Sequence, residues 1–191
     1  MDDPTLEKLI GTINVEIANA NIANSNFTLD TLCSGREADD LDFEAKRIEK
    51  GASYRLKDEV VLNALRLRLS SGLAYLKLGE NKNAAYSFDW ASKSANGLRL
   101  NDLKIILLEN AANLFYESGE MQCAMWAYAR MAEYYAKTEK WSKSEEALNQ
   151  AKEIAKELKQ DPFSIKPYFN AMILAKKFNP PETSLPAYVA K

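Results

Sequence analysis

The feature that most constrains this chain is a turn signal recurring roughly every twenty residues, with helix-period apolar rows between the signals. The signals are Gly79-Glu80-Asn81, Asn96-Gly97, Ser118-Gly119-Glu120, Thr138-Glu139-Lys140 and Asp161-Pro162. Between them run Leu65, Leu69, Leu73, Leu76, then Leu108, Ala111, Ala112, Phe115, then Ala147, Leu148, Ala151, Ala155, Leu158. Apolar residues three and four apart line one face of an α-helix, and no stretch alternates as a half-buried strand does. The pattern predicts helices over 5–24, 43–57, 61–78, 81–96, 102–118, 121–137, 141–159 and 163–178. Connections this short force consecutive helices to run antiparallel, so the chain reads as stacked helical hairpins. Residues 25–42 are polar, hold Gly35 and keep no period, which predicts a long loop. Pro180, Pro181 and Pro186 cannot continue a helix, so residues 179–191 read as an extended tail. The expected organisation is an N-terminal helix and polar loop over 1–42, a helical repeat domain over 43–178 and the tail.

Composition narrows the function classes. The chain has no histidine, which removes Ser-His and Cys-His nucleophile pairs, an imidazole base and histidine metal ligands. Its glycines stand singly, so there is no phosphate-cradling loop. Asp39, Asp40, Asp42 and Glu44 lack the glycine and the final glutamate of an EF-hand and read as a solvated acidic loop. Cys33 and Cys123 have no metal-type spacing and make no disulfide framework, which suits reduced thiols in the cytoplasm. Cys123 reads as a small residue at a helix crossing. No run approaches the roughly 20 apolar residues of a membrane span, and the acidic start lacks a secretory h-region. Residues 1–60 carry thirteen acids against seven bases, whereas 137–177 carry nine lysines against six acids. Those lysines alternate with glutamates along helix faces, which argues against a nucleic-acid stripe. The expectation is a non-enzymatic protein without cofactor or metal.

Residues 65–98 resemble a tetratricopeptide repeat. Gly72 and Tyr75 on one helix, Gly79 in the turn, and Ala84, Phe88 and Ala91 on the next stand at that family's offsets. A second copy runs through Ala112, Phe115, Gly119, Ala124 and Tyr128, with Met131 replacing the last alanine, and a degenerate third spans Ala132 to Ala151. The step from Gly79 to Gly119 is forty residues and not thirty-four, and in this the stretch Glu109 to Leu158 is similar to the helical stack of the soluble NSF attachment proteins. The resemblance implies an all-α, right-handed superhelix of about eight helices that binds a protein or peptide on its concave face. That face is lined by the first helix of each hairpin. The offsets place Leu69, Leu73, Asn110, Asn113, Tyr116, Trp126 and Arg130 on it as partner-binding residues. Asn110 and Asn113 can pair with a peptide backbone as donor or acceptor, and Arg130 can take a carboxylate with both ends of its guanidinium. Chaperone-binding members of the family grip a terminal carboxylate with lysines, asparagines and arginine. Only Asn110 and Arg130 match that clamp, because Leu69, Leu73 and Trp126 occupy its other positions. The implied function is an adaptor or scaffold. The alternative is a structural subunit or homodimer buried permanently in a complex. A tail carrying Leu185 and Tyr188 is a competing occupant of the groove.

Overall fold

A computed structural model describes residues 8, 9, 11–13, 35–51 and 58–178. Every regular element among them is helical. We number the helices α1 (Gly35–Gly51), α2 (Asp58–Lys77), α3 (Asn81–Gly97), α4 (Asn101–Glu117), α5 (Met121–Lys137), α6 (Trp141–Glu157) and α7 (Lys166–Phe178). A 3-10 turn, Pro162–Ser164, precedes α7, and Asp161 caps it by accepting from the Phe163 amide at 3.0 Å. Residues 8, 9 and 11–13 are also helical, with Ile13 fully buried. The chain divides between Glu120 and Met121 into two compact units.

One turn chemistry repeats through both units. At Leu78–Glu80, Leu98–Leu100, Ser118–Glu120, Thr138–Lys140 and Leu158–Gln160, the third amide donates to the carbonyl five residues back at 2.8–2.9 Å. The middle amide donates three residues back. This double closure satisfies helix-end carbonyls, and it requires the middle residue to be left-handed. The middle residues are Gly79, Arg99, Gly119, Glu139 and Lys159, twenty apart, with φ of 74°, 60°, 77°, 58° and 54°. Glu80, Leu100 and Lys140 each close one helix with the amide and open the next with the carbonyl, which accepts from Ala84, Lys104 and Ser144. Three-residue connections therefore suffice, and the starts of α4 and α6 dispense with a side-chain cap.

The same period governs burial. From α3 to α6 the seventh position holds Ser87, Leu107, Ala127 and Ala147, the eleventh Ala91, Ala111, Met131 and Ala151, and the fifteenth Ala95, Phe115, Tyr135 and Ala155. All twelve are buried. Positions seven, eleven and fifteen form one i, i+4, i+8 row, which is the inner stripe of an amphipathic helix. Small residues dominate it, so backbones approach closely.

In the first unit, α1 packs on α2, α2 on α3 and α3 on α4. At Gly72 of α2 an added Cβ would come within 2.7 Å of the Phe88 ring on α3. Glycine here makes room for the ring; it is not answering a backbone need. In the second unit, α5 packs on both α6 and α7. Ser144 of α6 is tied to α5 by a bond from its hydroxyl to the Ala132 carbonyl at 2.9 Å.

The expected loop over 25–42 needs correction. Residues 35–42 form the opening turns of α1. Their polarity is used against α2: Asp39 accepts from the Tyr75 hydroxyl at 2.5 Å, Asp42 pairs with Arg68, and the Ala38 carbonyl accepts from Ser71 at 3.0 Å. Ala38 and Ala45 supply the apolar contact between these bonds and are fully buried. Residues 52–57 of the expected second helix, most of 5–24, and the tail lie outside the described residues.

Candidate interaction surfaces

The sequence-assigned binding residues separate on burial. Leu69 is fully buried and Leu73 nearly so, both within the first unit. They present no surface to a partner, because α2 lies between α1 and α3 and its apolar row is spent on those neighbours. The offsets that nominated them fit a helix with one free face.

On α4, Asn110, Asn113 and Tyr116 follow at three-residue steps. Asn113 and Tyr116 are exposed, and Asn110 is half-buried with its amide donating to the Ile106 carbonyl at 2.8 Å. Tyr116 is 47% exposed near the end of a helix that buries Leu107, Leu108, Ala111, Ala112 and Phe115. This face of the first unit therefore carries two amides and a ring.

On α5, Trp126 is 41% exposed and Arg130 half-buried, one turn apart. Their row continues through Glu133 and Lys137, which pair at 2.8 Å. Asn170 of α7 donates to the same Glu133 carboxylate at 2.9 Å. Two helices thus share one polar seam, and the indole and guanidinium stand on the same row of α5. The two sets belong to separate units and are described separately.

Sequence offsets missed a third aromatic face, on α3. Tyr86 and Trp90 are one turn apart and partly exposed. Tyr86 sets its ring edge-on to Phe115 at 4.9 Å between centroids. Its neighbour Lys82 pairs with Glu120, and that hydrogen bond holds the Glu120 carboxyl below its usual range. Trp90 has two cations near its ring: the Lys93 ammonium is 3.9 Å and the Arg68 guanidinium 5.4 Å from its ring centre. A cation over an indole face is attracted by the ring quadrupole, so this tryptophan is already occupied by the protein itself. Its helical spacing from Tyr86 was the available signal, but sequence could not separate surface from cover.

Among the described residues no cluster of three metal-ligating side chains forms, and no helix is long and apolar enough to cross a membrane. Cys123 is half-buried near the start of α5, whereas Cys33 lies outside the described residues. No known protein family, curated protein or solved structure matches this chain.

Proposed function

We propose that this chain is a tetratricopeptide-like adaptor of the cytoplasm, a stack of antiparallel helical hairpins that holds a peptide or helix of another protein and performs no catalysis. The observation that carries the reading is the exposure of Tyr116 and Trp126 on helices whose other faces are packed. Aromatic rings at a surface, with amides or an arginine one turn away, are the residue types that dominate binding energy at protein interfaces. Asn110 and Asn113 accompany Tyr116, and Arg130 accompanies Trp126. The twenty-residue unit of helix plus left-handed turn supports a repeat architecture, and the Gly72–Phe88 contact supports the register that the resemblance assigns. Leu69 and Leu73 drop out of the binding set.

Selection of displayed peptides on the wild-type protein tests this, with counter-selection on a Tyr116→Ala, Trp126→Ala variant. The reading expects enriched sequences that bind wild type and lose the variant. Failure to enrich any sequence, or enrichment indifferent to both rings, contradicts it.

A structural subunit or self-associating protein is the second reading. It is favoured by one observation, the exposed apolar pair Phe169 and Ile173 on α7.

A further inference from the structure

The contact between α1 and α2 draws largely on polar groups. Ala64, Arg68, Ser71 and Tyr75 stand at helical spacing along α2 and form one buried row. Three of them are donors, and each meets an acceptor on α1. Arg68 pairs with the Asp42 carboxylate, the Ser71 hydroxyl donates to the Ala38 carbonyl, and the Tyr75 hydroxyl donates to Asp39. Positions fall along α1 as they rise along α2, so the two helices run antiparallel.

Two observations separate this seat from its occupant. The seat is backed by α3, because the Ser71 hydroxyl lies 3.3 Å from that of Ser87 and the Arg68 guanidinium 5.4 Å from the Trp90 ring centre. Its donors are therefore positioned by a helix other than α1, and preorganised donors are what a site offers a ligand. The occupant, in contrast, is lightly anchored in hydrocarbon. Among the numbered helices α2 is its one substantial neighbour, and among its described side chains only Ala38 and Ala45 are buried. Leu41 and Ile48 are half-buried and Phe43 is exposed, whereas α4 buries Leu103, Leu107, Leu108 and Phe115. The hold of α1 on α2 thus rests mainly on hydrogen bonds, which another helix with the same acceptors can supply in exchange.

We propose that this seat on α2 binds a helix of another protein, one with two carboxylates three residues apart flanked by small residues, and that α1 is the resident stand-in that such a helix displaces. The partner's chemistry is read from the occupant, Ala38-Asp39-Asp40-Leu41-Asp42-Phe43-Glu44-Ala45. One carboxylate faces the buried Arg68 guanidinium, and the other accepts from Tyr75. Small residues on the same face let the backbones close until Ser71 reaches a main-chain carbonyl. A basic helix would set charge against Arg68, and a bulky one would clash, so both are rejected. Because α1 belongs to the same chain it competes at high effective concentration, which closes the site to weak ligands. The site goes beyond the adaptor reading, since it uses neither Tyr116 nor Trp126, and its failure leaves that reading standing.

A synthetic peptide of residues 35–51, titrated into the full chain, tests it. The proteins are wild type and Ala45→Glu, in which a longer charged side chain at a fully buried position pushes α1 off its seat. The peptide is expected to bind Ala45→Glu at least about tenfold more tightly than wild type, because the resident competitor is weakened. The same peptide with Asp42→Asn is expected to lose about tenfold, the worth of one charged hydrogen bond. Amide hydrogen exchange on isotope-labelled wild type gives a second readout that stands even if Ala45→Glu does not fold. Adding unlabelled peptide is expected to speed exchange in α1 while α2 and α3 keep their protection. A folded Ala45→Glu that ignores the peptide overturns the proposal, as does binding equal in both proteins or indifferent to Asp42→Asn. So do α1 amides that the peptide leaves unmoved. A wild-type dimer that the peptide disperses would put a second copy in the seat and overturns it as well.

Discussion

Glu139 occupies backbone space that an L-residue enters at a cost. The left-handed conformation costs a side-chain-bearing residue roughly 1–2 kcal/mol, and the same site in the turns at residues 79 and 119 is filled by glycine. Glycine gives back about 0.5–1 kcal/mol in unfolded-chain entropy, so Glu139→Gly is expected to stabilise the protein by about 0.5–1 kcal/mol. Chemical denaturation measures it, and a variant less stable than wild type would show that the Glu139 side chain contributes a contact in the turn. Tyr75 makes a second residue-scale prediction. Burial pushes its phenol well above the ordinary tyrosine range, and the hydrogen bond to Asp39 adds to this by holding the proton. Above about pH 10 an unfolded tyrosine releases its proton while Tyr75 keeps its own, so the unfolded state binds fewer protons and stability falls as pH rises. Below that pH the contribution is fully present. Tyr75→Phe is therefore expected to lose about 1 kcal/mol at neutral pH, the worth of one hydrogen bond, and to show a shallower alkaline decline than wild type. Stability curves of both proteins from neutral to strongly alkaline pH check this, and parallel declines would contradict it.

Among the helices, α1 shows best how polar sequence becomes packed structure. Arg68 is 1% exposed, paired with Asp42 across the α1–α2 contact, and its guanidinium also lies 5.4 Å from the Trp90 ring centre. Removing one member of a buried pair leaves the other charge less compensated, at a cost of up to about 3–5 kcal/mol, whereas replacing both with apolar groups is often near neutral. Asp42→Ala is expected to fall in that range, and Asp42→Ala with Arg68→Met to recover most of it. Equal losses in the single and double variants would show that Asp42 stabilises α1 by some route other than Arg68. The same residues explain where sequence reading stopped. Apolar period exposes a helix that buries hydrocarbon, and so α3, α5 and the start of α6 are legible to within a residue. Among its described side chains α1 buries only Ala38 and Ala45, and its first half is joined to α2 by Asp39 and Asp42 and by a bond from Ser71 to the Ala38 carbonyl, which a hydrophobic pattern does not register. The turns at Arg99 and Lys159 were signalled only by neighbours, Asn96-Gly97 and Asp161-Pro162, for a related reason. Their left-handed residues carry no glycine signature, and the backbone bonds that fix them depend on helix ends and not on side chains.

For the molecule as a whole, the twenty-residue unit was legible because two of its five turns hold glycine and its inner row is small and apolar. The binding residues were less so. Periodicity assigns a residue to a face of its helix but does not say how many faces the neighbours cover, and α2 is flanked by α1 and α3. That is why Leu69 and Leu73 belong to the core while Asn113, Tyr116 and Trp126 reach solvent. The adaptor reading then rests on whether those exposed side chains carry affinity without carrying the fold. Calorimetric titration of a display-selected peptide into wild type, Tyr116→Ala and Trp126→Ala, beside thermal melts of the same samples, measures both at once. The account predicts that at least one substitution weakens binding by about 1–3 kcal/mol, the span of an interface hot spot, while melting temperatures stay near wild type. Affinity unchanged in both variants, or lost only in step with stability, would contradict it.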